Sequence, residues 1–173
     1  EGEYKEPGKE RAATQFMDRL RSALPSFPIA LCSYRYPSYH PQLPWEEFLE
    51  KCDYNMPQVY WVGAHNAGDQ LRRSVSEFRA MSPYRPIIPV GAAFRSGSWS
   101  PSTSDITQFL NTARSLNLTA ANFWEWAHCR ANLPSLWGRF GTGRSAGRKG
   151  INAPHCYALR RAEDRRFASD PEH

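Results

Sequence analysis

Three glutamates and a group of aromatic residues are the side chains of this sequence best suited to chemistry on a carbohydrate. Glu125 lies between Trp124 and Trp126, while Glu1 and Glu3 open the chain. Hydrolysis of a glycosidic bond typically uses two carboxyl groups that flank the bond, one of them kept protonated. Trp and Tyr rings stack on the apolar faces of sugars, and amides, carboxylates and guanidinium groups bind the hydroxyls. These residue types together indicate a glycan site.

Four short apolar or aromatic runs predict the strands that position these side chains, and four amphipathic segments between them predict helices. Short continuous apolar runs suit a parallel sheet that is buried on both faces. The predicted strands are Phe27–Ser33, Asn55–Trp61, Pro86–Phe94 and Ala120–Trp126. The predicted helices are Lys9–Leu24, Pro44–Cys52, Asp69–Met81 and Ser104–Leu116, the last with Ser104 as its N-cap.

The predicted strands recur roughly every 30 residues, which is the length of one strand–helix unit. This rhythm predicts an α/β fold with parallel strand–helix repeats. A closed eight-unit barrel typically takes ~250 residues, and residues 1–137 offer four to five units. Residues 1–137 are therefore either an open sheet in their own right or, as we favour, a partial (β/α)8 TIM barrel, the second half of a barrel whose first half lies upstream. Its exposed sheet edges would favour self-association.

In parallel α/β folds the functional residues lie at the C-terminal ends of the strands. The expected inward direction of Glu125 rests on the high cost of an unpaired carboxylate in the helix layer. Trp61, Trp124 and Trp126 are equally compatible with packing inside the barrel. The candidate catalytic residues are Glu125, Glu1 and Glu3. The candidate substrate-binding residues are Tyr34, Tyr36, Tyr39, Gln58, Tyr60, Trp61, Trp99, Asn122, Trp124 and Trp126.

Composition excludes several other classes of protein. Residues 1–137 hold 14 Lys and Arg against 13 Asp and Glu, so the main domain lacks the basic character of a nucleic-acid-binding unit. No run of apolar residues is long enough to span a membrane. The cysteines lack zinc-site spacing, and we expect no metal or organic cofactor, with Cys32 and Cys52 as buried thiols.

Residues 138–173 differ in composition from the rest of the chain. They carry 8 Lys and Arg against 4 Asp and Glu, and residues 138–150 are rich in Gly and Arg. A flexible tail outside the fold is the favoured interpretation, with a short charged helix at Ala158–Ala168. Binding of an anionic polymer by this tail is the alternative.

Several motifs resemble a known family. The runs NMPQVYW, PIIPVGAAF and ANFWEW, with the turn Trp99-Ser100-Pro101, look like the last strands of bacterial glycoside-hydrolase-like TIM barrels. These barrels are related to the lysozymes of glycoside hydrolase family 25, and the resemblance covers residues 1–137. The opening EGEYK resembles the region after the fourth strand, where that family carries an Asp-x-Glu pair.

The resemblance implies hydrolysis of β-1,4 bonds in peptidoglycan or a related glycan, in an extracellular or cell-envelope setting. Glu1 would be the Glu of Asp-x-Glu, with its Asp upstream, or the pair would be Glu1-x-Glu3. The family's acidic residue on the last strand would correspond to Asn122 or, by preference, Glu125. The first hypothesis is therefore a glycoside-hydrolase-like protein, inactive if truncation has removed a catalytic group. The second is a non-catalytic glycan-binding or structural fragment.

Overall fold

The computed structural model describes residues 2–141 and 156–158, in which strands and helices alternate. Short 3-10 turns lie at Gly2–Tyr4 and Pro37–Tyr39. The helices are α1 (Glu10–Ala23), α2 (Trp45–Glu50), α3 (Ala67–Arg79), α4 (Thr103–Ser115), α5 (Trp126–Asn132) and α6 (Pro134–Gly141). The strands are β1 (Ala30–Tyr34), β2 (Tyr54–Val59), β3 (Val90–Ala92), β4 (Ala120–Trp124) and β5 (Cys156–Ala158).

The five strands form one sheet in chain order. Strands β1 to β4 are parallel neighbours, and β5 pairs antiparallel with β4. The α/β prediction with parallel strand–helix repeats is therefore confirmed. No strand in the described part of the chain pairs with the outer edge of β1.

The second, third and fourth predicted strands each end two residues earlier in the structure, the second at Val59 instead of Trp61. The third was predicted over Pro86–Phe94, but ladder pairing is confined to Val90–Ala92 and a bridge from Ile87 to Asn55. The two prolines in this run lack the N–H that a central strand donates. The fourth strand ends at Trp124, so the prediction that Trp126 lies on it is wrong. Trp126 is the first residue of α5 because Glu125 caps that helix.

The core lies between the sheet and the helices. Leu71, Val75 and Phe78 form the buried stripe of α3, as predicted. Trp61 is fully buried, and its ring centroid lies 5.3 Å from that of Phe109. Gly91 packs closely against Phe123, since a Cβ on Gly91 would lie 2.7 Å from the Phe123 ring.

The start of α4 differs from the prediction. Ser102, not Ser104, is the N-cap: its hydroxyl accepts a hydrogen bond from the Asp105 N–H, and the Asp105 carboxylate accepts one from the Ser102 N–H. This reciprocal pair is a capping box. Ser104 lies inside the first turn of α4 and does not cap it.

Part of the region expected to lie outside the fold belongs to regular structure. Helix α6 continues to Gly141, and Cys156–Ala158 form β5. Ala158 therefore lies in a strand and does not begin a helix. The rest of the predicted tail and charged helix lies outside the described residues. No described helix is long and apolar enough to cross a membrane.

Candidate functional site

The parallel register places three predicted site residues in one row across the sheet. Tyr34 pairs with Gln58, Gln58 with Val90, and Val90 with Asn122. Gly91 and Phe123 contact the helix layer, and side chains alternate along a strand. The row therefore lies on the sheet face opposite those helices, which we call the open face.

A cavity of about 330 Å³ adjoins this row at the C-terminal ends of β1 and β2. Apolar rings with a few polar groups are the usual lining of a small-molecule site. The cavity is lined by Tyr34, Arg35, Tyr36, Tyr39, His40, Gln58, Tyr60 and Val62. The structure thus brings together five of the ten predicted substrate-binding residues.

Tyr34, which ends β1, and the two tyrosines that follow it present different surfaces to this cavity. The Tyr34 ring contacts the His40 ring at a centroid distance of 3.7 Å, and the Lys5 ammonium lies 4.5 Å from the Tyr34 centroid. Tyr36 is buried, its hydroxyl donates to Gln70, and the Arg73 guanidinium packs 4.1 Å from its centroid. Tyr39 is 54% exposed. Of these rings, that of Tyr39 is therefore the most accessible to a ligand.

A strip of ring contacts continues from the cavity towards β3. Tyr60 packs edge-on against Phe94 at 5.2 Å, and Phe94 packs against Trp99 at 6.4 Å. Trp99 is half-buried, stacks on His65, and donates its indole N–H to the Ala64 carbonyl. Trp99 therefore joins the loops that follow β2 and β3.

A buried carboxylate anchors the same two loops. Asp105 Oδ2 lies 2.8 Å from His65 Nδ1 and accepts hydrogen bonds from the N–H and hydroxyl of Ser102. Burial alone would raise the pKa of Asp105, but the Ser102 N–H, His65 and the Ser102 hydroxyl together hold it below its ordinary value. Asp105 thus remains an anion that fixes His65 at the rim.

At the far end of the strip the tryptophans divide into three environments. Trp124, at the end of β4, is 58% exposed, and its ring contacts no other aromatic ring in the described part of the chain. Trp126 lies on α5, packs edge-on against Trp137, and remains 37% exposed. Trp61 belongs to the core, so its predicted contact with substrate is ruled out by its burial. Asn122 is half-buried, and its Oδ1 accepts the Phe123 N–H.

The candidate catalytic glutamates are also placed differently from one another. Glu125 is half-buried, and its Oε1 accepts the His128 N–H at 2.7 Å, which caps α5. The carboxylate therefore turns towards a helix terminus instead of into the barrel as predicted. Glu3 is exposed in the first 3-10 turn, where the neighbouring Tyr4 packs edge-on against Phe48 of α2. Glu1 lies outside the described residues.

The cap formed by Glu125 gives a first testable prediction. Glu125→Ala should lower the free energy of unfolding by about 1 kcal/mol because the N–H at the start of α5 loses its acceptor. Glu125→Gln keeps an acceptor oxygen and should cost only a few tenths of that. Urea denaturation measures both. Equal losses in the two variants would contradict the assignment of Glu125 as a cap.

The cysteines offer little nucleophilic chemistry within the core. Burial raises the pKa of Cys52 and of Cys129 to about 11, so both thiols stay protonated near neutral pH. Cys32 was predicted to be buried as well, but it is exposed. It lies on the open face, which the described residues leave uncovered at that position.

Some residues of the rim were missed by the sequence analysis. Asp105 could have been found from its spacing to Ser102, which fits a capping box. Lys5 could not, because its contact with Tyr34 joins segments almost thirty residues apart. Phe94 was assigned to a strand, and only its ring contacts place it in the strip.

Comparisons with known proteins bear on the fold. No protein family matches the sequence, and no curated protein does. Among solved structures, the chain is similar to the monoclinic crystal form of bee venom hyaluronidase, with a TM-score of 0.54 and 15% identity. The match covers 75% of this chain and 51% of the hyaluronidase chain. This chain has a partial TIM-barrel-like fold.

The likeness is to a glycoside hydrolase built on a TIM barrel. This chain spans about half the length of that enzyme, and the identity is low enough that the match describes architecture only. The relation to family 25 lysozymes expected from the motifs is not shown by the comparisons. The predicted architecture is thus supported.

Proposed function

We propose that the C-terminal rim of this half-barrel binds a polysaccharide. The main observation in support is the exposed ring of Trp124, which lies at the opposite end of the rim from the Tyr39 ring and the cavity. Strands are about 4.8 Å apart, so the ends of β1 and β4 are separated by roughly 14 Å along the sheet. That length suits an extended chain of sugar rings better than a single small molecule.

The chemistry of the rim supports the same proposal. Exposed rings at Tyr39 and Trp124 offer flat apolar surfaces, and Gln58 and Asn122 offer amide groups in the row between them. Sites of this type combine apolar contact with a few polar groups that fix orientation. The position also agrees with the general location of sites in parallel barrels.

Hydrolysis of the bound glycan, such as peptidoglycan, is the second candidate function. Only Oε1 of Glu125 takes part in the α5 cap, so its other oxygen remains for acid or base chemistry beside Trp124. Glu3, or Glu1, would supply the second carboxyl group. Glu3 is exposed in the first 3-10 turn, and the Glu125 carboxylate already caps α5, whereas glycosidases hold two carboxyl groups on either side of the scissile bond. Binding is therefore the better-supported function.

The experiment that tests the proposed function is a binding titration with soluble chitin and peptidoglycan oligosaccharides. Trp124→Ala should weaken glycan binding at least tenfold, about the loss of one stacked aromatic contact. Tyr84→Ala is the matched control, since Tyr84 is 48% exposed but precedes β3 at the N-terminal end of the sheet. Loss of binding in both variants, or in neither, would argue against a glycan site at the rim.

Product release from the same oligosaccharides tests the second candidate. Glu125→Gln retains the cap but removes an ionisable group, so catalytic use of Glu125 predicts bound yet uncleaved glycan. Cleavage unchanged in Glu125→Gln would exclude this glutamate from the chemistry.

A further inference from the structure

Arg35 is a fixed cation at the β1 end of the rim. Its NH1 donates to the Tyr60 carbonyl at 2.5 Å, and its guanidinium lies 5.1 Å from the Tyr36 ring centroid. The side chain is half-buried and lines the 330 Å³ cavity. A ring and a carbonyl thus hold the guanidinium in place, and neither contact neutralises its charge.

The arginines of this fold are held in two ways: some pair with a carboxylate, whereas Arg79 and Arg85, like Arg35, donate to backbone carbonyls. Arg21 joins α1 to Asp53 at 2.8 Å, and Arg73 contacts Glu77 at 2.8 Å. Arg35 has no carboxylate within ion-pair distance in the described part of the chain, and no Asp or Glu lines its cavity. A partly desolvated cation gains most from an anion placed against it.

A second cation reinforces this local charge. The Lys5 ammonium lies over the Tyr34 ring, and Tyr34 lines the same cavity. No described carboxylate forms an ion pair with Lys5. Arg35 and Lys5 therefore bring two cations to the β1 end of the rim.

We propose that the Arg35 cavity is a subsite for a carboxylate-bearing sugar. This inference rests on the proposed function, because it assigns a charge class to one unit of the glycan that the rim binds. A guanidinium that is already anchored through NH1 still has NH2 and Nε to donate to a carboxylate, in the geometry typical of Arg–carboxylate pairs. The surrounding tyrosines contact the sugar ring.

A matched pair of ligands tests this proposal: a chitin oligosaccharide and its carboxymethylated form, which has the same sugar backbone and carries added carboxylates. The chain should bind the carboxymethylated ligand about tenfold more tightly at low salt, consistent with one charge-assisted hydrogen-bonded pair. Arg35→Gln should remove this preference. Arg114→Gln removes the same charge in the last turn of α4 and should keep the preference.

The outcomes separate this subsite from the proposed function. Equal binding of the two ligands by the unmodified chain overturns the carboxylate subsite while the rim remains a glycan site. Absence of binding to both ligands overturns both proposals. If Arg35→Gln does not fold, the salt dependence of the unmodified chain tests the subsite instead. Its preference for the carboxymethylated ligand should shrink several-fold when salt is raised from about 20 to 500 mM. A preference that does not change with salt also overturns the carboxylate subsite.

Discussion

Replacing Trp61 with alanine is expected to lower the free energy of unfolding by about 3–5 kcal/mol. The side chain is fully buried and packs on Phe109 at the centre of the core, so its removal leaves a large cavity. Domains of this size are stable by only about 5–15 kcal/mol. The variant should therefore be close to unfolding at room temperature, as urea denaturation would measure.

Two control variants separate this packing effect from others. Trp61→Phe should cost much less, because the buried indole N–H has no hydrogen-bond partner among the described residues and phenylalanine removes that unsatisfied donor. Trp124→Ala removes the same residue type from an exposed position and should change stability by no more than about 0.5 kcal/mol. A large loss in Trp124→Ala would contradict its placement on the surface.

Replacing Asp105 with alanine is expected to cost about 3 kcal/mol, the sum of a lost helix cap and of donors left without an acceptor. The carboxylate of Asp105 joins His65 and Ser102 to the start of α4. Ser104→Ala is the matched control, because Ser104 is exposed and does not cap the helix. Thermal or urea unfolding of the two variants should differ clearly, and equal losses would contradict the cap at Ser102.

The same carboxylate makes stability depend on acid pH. The pKa of Asp105 in the folded chain is below its ordinary value, so the unfolded chain takes up this proton first as pH falls. Its contribution is fully present above about pH 4, the ordinary Asp value, and declines as pH drops towards the folded pKa. Asp105→Asn should flatten the stability profile below about pH 4. An unchanged acid slope in this variant would contradict the lowered pKa.

The α/β architecture was predictable because apolar runs and helical stripes are local signals. The stripe of Leu71, Val75 and Phe78 and the spacing of the strands fixed the alternation of elements. Strand ends were less predictable: β3 is short because proline N–H groups are missing, and β4 stops because Glu125 caps α5. The Glu125 cap starts α5 at the point where β4 could otherwise continue, and the spacing of apolar residues does not show this.

The candidate site was predicted in position but not in detail. Knowing that parallel strands end at one edge was enough to group Tyr34, Gln58 and Asn122, which the register places in one row. It could not distinguish Trp61 from Trp124, since both lie near the end of an apolar run. Whether each ring is buried or exposed depends on which side of the sheet its side chain occupies. The contacts of Lys5 and Asp105 depend on long-range packing and leave little local trace.

The measurement that most directly tests the glycan-binding rim is a two-dimensional NMR titration that follows the indole N–H signals of the tryptophans. Addition of a chitin or peptidoglycan oligosaccharide should shift the Trp124 signal progressively, while the Trp61 signal stays in place because that ring lies inside the core. A spectrum in which Trp124 does not move as ligand is added would contradict the proposed function.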